Sequence, residues 1–205
     1  MFVVIADQIG SRTDRDRVAD LLHRLDARAG DRLALPAERT AGDELQALTA
    51  DPAAALDIVL ECLRGKHFRA GLGIGDVAGE LPASIREASG PAFIAGRRAV
   101  QKAARTSIHF AAAGADTAAA DAADDVDALI ALLLAGRARW SAQSWELYDL
   151  LEQGLTQAAA AERLGITPQA VSKRARAAAL AIDAEARRAI ARVMDSADAE
   201  HSTVG

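Results

Sequence analysis

The sequence predicts an α+β protein in two parts, a ferredoxin-like βαββαβ domain followed by an all-α domain. Three observations predict it. Short apolar runs alternate with helically spaced leucines over the first hundred residues. Beyond about residue 111 the apolar residues recur only at helical spacing. Near the end, Thr156 to Arg174 carries the caps, turn glycine and polar face of two helices joined by a tight turn. A length of 205 residues suits two small domains. Hydrophobic residues make up 51% and aromatics only 3%, so the cores must be built from Ala, Leu, Val and Ile.

The first element, Met1 to Ala6, has no helical period and reads as a fully buried strand. It ends at Asp7, and a carboxylate at the end of a buried strand must be solvated, paired or holding a cation. Ser11 or Thr13 can cap a helix from Asp14 to about Ala29, with Val18, Leu21, Leu22 and Leu25 facing inward. Arg32 to Glu38 and Glu44 to Thr49 read as strands around a hairpin tip, Arg39-Thr40-Ala41-Gly42-Asp43. Ala53 to Leu63 is a helix, with Asp51 near its start. His67 to Gly75 is a strand whose glycines at 71, 73 and 75 admit a close neighbour. Ala78 to Glu87 reads as loop, Gly90-Pro91 opens a helix to about Arg105, and Ser107 to Ala111 is an edge strand. The order β-α-β-β-α-β-α-β contains two crossovers around a hairpin, which is the split βαβ arrangement.

The Ala/Asp-rich stretch 114–127 reads as a linker. Ala128 to Ala135 is a short, very apolar helix that has to be covered, either by the helices that follow or by a second chain. The helix from Ser141 to about Glu152 gathers Trp140, Trp145 and Tyr148 as the hub of the second core. Ile182 to Met194 is the last helix, and 195–205 is expected as a mobile polar tail. The second domain thus covers 128–194 and the first 1–113.

Within the second domain Thr156 is an N-cap, Gly165 supplies a left-handed turn, Thr167 caps the next helix and Pro168 takes its first position. Small Ala161 lets the two helices cross closely over Leu164, Ile166 and Val171. Gln169, Ser172, Lys173 and Arg176 fall at i, i+3, i+4 and i+7, one exposed face. A plain helical hairpin with a solvated charged face would carry the same face. The wording Ala-Glu-Arg-Leu-Gly-Ile-Thr-Pro-Gln-Ala-Val-Ser, from Ala161, resembles the helix-turn-helix of bacterial transcription regulators. That resemblance implies double-stranded DNA as partner, with Thr167, Gln169, Ser172, Lys173, Arg174 and Arg176 at the interface. Gln169, Ser172 and Lys173 would stand near base edges, and Arg174 and Arg176 nearer phosphate.

Charge agrees by region. The whole chain carries −5, but Arg137 to Met194 holds nine basic and six acidic residues, whereas Met1 to Gly136 holds fifteen and twenty. A homodimer would double the modest positive balance of the helical part. Cys62 is the single cysteine, so no disulfide forms within the chain, and the four histidines show no metal-ligand spacing. No apolar run reaches the length of a membrane span and no signal peptide is read, so a cytoplasmic protein without a membrane partner is expected.

Four stretches in the first part carry a second resemblance: Val-Ile-Ala-Asp-Gln-Ile-Gly-Ser-Arg from Val4, Arg-Thr-Ala-Gly-Asp-Glu-Leu-Gln from Arg39, Arg-Ala-Gly-Leu-Gly-Ile-Gly from Arg69, and Gly-Pro-Ala-Phe-Ile-Ala-Gly-Arg-Arg-Ala from Gly90. They resemble landmarks of the SatD family of bacterial proteins over Met1 to Arg105. More distantly they are similar to class III nucleotidyl cyclase and GGDEF domains. The distant likeness implies a metal site at Asp7 and Asp43 for Mg²⁺ bound with a nucleotide. The phosphates would then meet Gly10, Ser11, Arg12, Arg39 and Arg97. Phe93 and Ala95 stand where cyclases place polar catalytic groups, so no catalytic residue is assigned and turnover is not expected. The first domain is expected to serve dimerisation, sensing of a nucleotide effector, or both.

Overall fold

The computed structural model describes residues 1–203, without the side chains of Ala118 and of 199–203. It is a mixed α+β protein with one five-stranded sheet and eight helices among the described residues. The chain forms two compact units, Met1–Ala131 together with the chain from Ala189 on, and Leu132–Arg188.

The sheet lies in the first unit. Its strands are β1 (Phe2–Gln8), β2 (Leu35–Ala41), β3 (Glu44–Thr49), β4 (Phe68–Ile74) and β5 (Phe110–Gly114), in the order β2-β3-β1-β4-β5. β1 is central and pairs antiparallel with both β3 and β4, while β5 is parallel to β4. The parallel pair needs a helical crossover, supplied by α3 (Pro91–Ala103). The first two helices are α1 (Val18–Ala29) and α2 (Pro52–Leu63), the latter capped by the Asp51 carboxylate, which accepts from the Ala53 amide at 2.8 Å.

α3 lies close on β4 because the strand offers no side chains there. A Cβ on Gly71 would fall 2.1 Å from the Val100 nitrogen, and one on Gly73 2.2 Å from the Ala92 carbonyl. On the helix side, a Cβ on Gly96 would press on Val3 and Ile5 at 3.3 Å. Val3, Ile5, Leu48, Leu35, Ile85, Ala92 and Val100 form one core cluster on this face. By alternation Phe2, Val4 and Ala6 fill the other face, and all three are fully buried.

Five boundaries differ from the sequence reading, among them β5, which lies three residues further on than the expected Ser107 to Ala111. α1 starts at Val18, not Asp14: the chain first turns at Gly10 (φ 68°), and buried Gln8 clamps the loop by donating to the Arg15 carbonyl and accepting from the Arg17 amide. β2 is displaced three residues toward the hairpin and runs on to Ala41, leaving Gly42 and Asp43 at the tip. The expected linker is helix from Thr117 on, because alanine is the strongest helix former and the Asp116 carboxylate accepts from the Ala119 amide. This helix, α4 (Thr117–Arg137), buries Ala119, Ala123, Val126 and Ile130 in a helical stripe. The expected tail is also helix: α8 (Leu180–Thr203) buries Met194 and Ala197, and Asp198 accepts from the N-terminal ammonium of Met1. Val204 and Gly205 lie outside the described residues.

The glycine contacts give a paired test. Gly71→Ala should destabilise the protein by about 3 kcal/mol through overpacking against the backbone of α3. Gly136→Ala, where a Cβ in α4 would meet nothing within 4 Å, should stabilise by about 0.5–1 kcal/mol. Urea unfolding midpoints of the two variants check both signs.

Candidate functional sites

In the second unit three further helices follow α4: α5 (Ala142–Glu152), α6 (Gln157–Leu164) and α7 (Pro168–Ala177). Thr156 and Thr167 cap α6 and α7, each accepting at 3.2 Å from the amide three residues on. Gly165 adopts the left-handed conformation (φ 64°, ψ 31°), and the Ile166 amide returns to the Ala161 carbonyl at 3.1 Å. Val171 and Ala175 on the inner side of α7, and Ala178 just after it, are buried with Ala160, Ala161, Leu147 and Tyr148, while Leu164 and Ile166 pack partly against this core.

The outer side of α7 is polar and open. Thr167, Gln169, Lys173 and Arg176 are exposed and Ser172 is half-buried. Arg176 donates to the Ser172 hydroxyl at 2.8 Å, one turn back along the same face. Arg174 is placed differently. Its guanidinium folds onto α5, reaching the Gln143 carbonyl at 3.4 Å and Glu146 at 3.9 Å.

The helices of this unit are tied by a buried ion pair. Arg137, 5% exposed, makes a bidentate contact with Asp183, Nε and Nη2 each 2.7 Å from a carboxylate oxygen. The same guanidinium lies 5.0–5.8 Å from the rings of Trp140, Trp145 and Tyr148. Burial works against the Arg137 charge, but Asp183 and Tyr148 together more than offset it, and the Arg137 pKa is raised. Arg187 is likewise held by Glu152 at 2.6 Å and Asp183 at 3.3 Å.

In the first unit the strand-end acids do converge. Asp7 on β1 and Glu44 on β3 are Cα partners, with Asp43 beside them at the hairpin tip. Burial pushes the Asp7 carboxyl up and Glu44 and Asp43 push it further, while Arg69 and Arg97 pull it back. Glu44 is 7% exposed and well provided for: it accepts from Thr40 at 2.7 Å, from Gln46 at 3.0 Å, and from Arg97. Among the described residues no group of three or more His, Cys, Asp or Glu side chains is placed to hold a metal ion. Of the residues expected around phosphate, Arg97 is at this end, on Glu44. Arg39 instead meets Asp16 at 2.6 Å and holds that carboxyl below its usual range. Gly10, Ser11 and Arg12 are exposed in the turn well before α1 rather than at its N-terminus.

Sequence reasoning missed a cavity of about 650 Å³ beside this strand end. Ile5, Glu44 and Gln46 line its sheet side, Phe93, Ile94, Arg97 and Arg98 its α3 side, and Arg86 and Ala88 its loop side. A signal was present in β3: Glu44 and Gln46 occupy alternate positions of a strand that is otherwise apolar on that face, through Leu48.

The Asp7 shift has a testable sign. A carboxyl whose pKa is raised on folding opposes the fold when ionised, and that penalty fades as pH falls through the carboxylate range. Asp7→Asn should therefore raise the thermal unfolding midpoint at pH 7, with the difference closing below about pH 4. Calorimetric melts across that range check it.

No helix among the described residues is long and apolar enough to cross a membrane. No significant match is found among curated proteins or among solved structures. The SatD family model matches residues 2–194, so the likeness read in the first hundred residues extends through the helical part. On that match, spanning both units, the chain belongs to the SatD family.

Proposed function

We propose that this protein is a DNA-binding transcriptional regulator. In this reading α6 and α7 are a helix-turn-helix and α7 enters the major groove of double-stranded DNA. The observation that carries it is the division of α7 into a buried side of Val171 and Ala175 and an open side bearing Gln169, Lys173 and Arg176. The caps at Thr156 and Thr167, the left-handed turn at Gly165 and the donor-rich open side of α7 fall in register together, and that coincidence supports this reading over a plain hairpin. Gln169, Ser172 and Lys173 serve base edges, while Thr167 and Arg176 serve phosphate. Arg174 acts by bracing α7 on α5, since its guanidinium is already directed there.

The first unit, read as a ferredoxin-like, cyclase-like module with β5 added, provides dimerisation or ligand sensing for a cytoplasmic homodimer. Two copies would place two α7 helices on paired half-sites. Mobility shift on the DNA upstream of the protein's own coding region tests the reading. Lys173→Ala and Arg176→Ala should each weaken binding, and loss of a phosphate contact should flatten the slope of log K against log salt by about 0.9. Equal retention by both variants and the parent protein would remove α7 from the interface.

A second reading, Mg²⁺ with a nucleotide at Asp7 and Asp43, is favoured by the placing of Asp43 beside the end of β1, where the Gln8 amide donates to the Asp43 carbonyl at 3.1 Å. Titration calorimetry with ATP or GTP and Mg²⁺ tests it. Binding heat that vanishes in Asp43→Asn supports the site, and no heat from the parent protein sinks it.

A further inference from the structure

A second cavity lies wholly within the helical unit, between α5, α7 and the start of α8. Its volume is about 580 Å³, the size of a small-molecule site. Alanines at 175, 179, 181 and 184 leave space that larger side chains would fill, and Leu151, Leu180 and Ile182 supply aliphatic walls. Ile182 keeps 68% of its surface exposed there.

The charged groups along the cavity are not equivalent. Arg187 and Glu152 close on each other through two hydrogen bonds, at 2.6 and 3.1 Å, so their charges cancel. Arg176 is the exception. It is exposed, and among the described residues it makes no ion pair; its one hydrogen bond goes to the Ser172 hydroxyl at 2.8 Å. Both residues line the cavity. Because Ser172 accepts in that bond, its own proton stays free to donate, and the guanidinium keeps its other N–H groups. Two donors one turn apart on α7, already in contact, thus stand on one side of an aliphatic cavity with a single uncompensated positive charge.

That single charge sets the charge of the ligand. A dianion would bring a second negative charge with no partner, and a plain hydrocarbon would leave the guanidinium unmatched. A carboxylate has one charge and two acceptor oxygens, which suit a guanidinium beside a hydroxyl. Aliphatic walls call for an aliphatic body, because burying it removes apolar surface from water.

We propose that this cavity binds a small aliphatic monocarboxylate, its carboxylate on Arg176 and Ser172 and its chain against Leu151, Leu180 and Ile182. Arg176 is also the residue given to DNA phosphate above, so two anions compete for one cation and the ligand releases DNA. The site itself stands on the cavity; the release rests on the DNA reading.

Titration calorimetry of the full chain with octanoate tests the site, with octanol as the uncharged probe and butyrate as the short one. Octanoate should bind saturably, about 10-fold tighter than octanol. From butyrate to octanoate the affinity should rise about 2- to 4-fold per methylene. Arg176→Ala should lower octanoate affinity about 10-fold and leave octanol unchanged. Ile182→Ser, at an exposed position, should weaken both. No saturable binding, equal binding of octanoate and octanol, or indifference to Arg176→Ala would each overturn the proposal. Lys173 does not line the cavity, so Lys173→Ala should bind octanoate as the parent does while losing affinity for DNA. In mobility shift, saturating octanoate should weaken DNA binding by the parent but not by Arg176→Ala, and an unchanged shift overturns the release. If the parent retains no DNA at all, the DNA reading falls and the calorimetry still decides the site.

Discussion

The backbone-to-backbone approach of α3 onto β4 governs the first unit. With hydrogen atoms at 71 and 73 the helix settles directly on the strand, and Gly96 likewise leaves room for Val3 and Ile5. That depth aims Arg97 at the end of β3, where it meets Glu44, and Arg98 at the end of β5, where it meets Gly114. A side chain at either strand glycine would push the helix away from the sheet and part these contacts together. The positions of the arginines thus follow from residues that have no side chain at all.

The second unit has a different organising contact. Its core is small and alanine-rich, and Arg137 with Asp183 closes it across the ends of α4 and α8. Removing one member of such a buried pair costs about 3–5 kcal/mol, because the survivor is left charged and dry. Replacing the pair with apolar residues of equal volume can be nearly neutral, so the ion pair is best understood as fixing geometry. The planar guanidinium is well shaped for this, since its edge meets the carboxylate bidentately while its faces lie near three aromatic rings. Aromatic residues are few in this chain, and this unit gathers three of them around one cation.

Polar groups in the first unit are graded along the sheet. On the face under α3, Val3 and Leu48 are apolar, Ile5 faces Gln46, and Asp7 faces Glu44. A face that turns from apolar to charged within three residue pairs cannot be covered by one helix of uniform character. It is met by core packing at one end and by a cavity with arginines at the other. The raised carboxyl of Asp7 is the electrostatic trace of that gradient.

Local chemistry was legible from the chain alone. Thr156, Gly165, Thr167 and Pro168 act within a few residues of themselves, so their roles as caps, turn and first helical residue could be read directly. The glycines of β4 announced a close neighbour by their alternation, and β3 had its bounds in its own pattern. Longer reach was not legible. Arg97 meets Glu44 across 53 residues and Arg137 meets Asp183 across 46, and nothing near either residue names its partner. The Ala/Asp stretch illustrates the same limit, since its composition suits a linker and a helix equally until Ala119, Ala123 and Val126 find a surface to bury against. Sequence by itself determined the α+β order of elements and the helix pair with its polar face, because those depend on short-range backbone preference and periodicity. Tertiary structure alone decided which charges meet, because burial and distance belong to the folded chain and not to any segment of it.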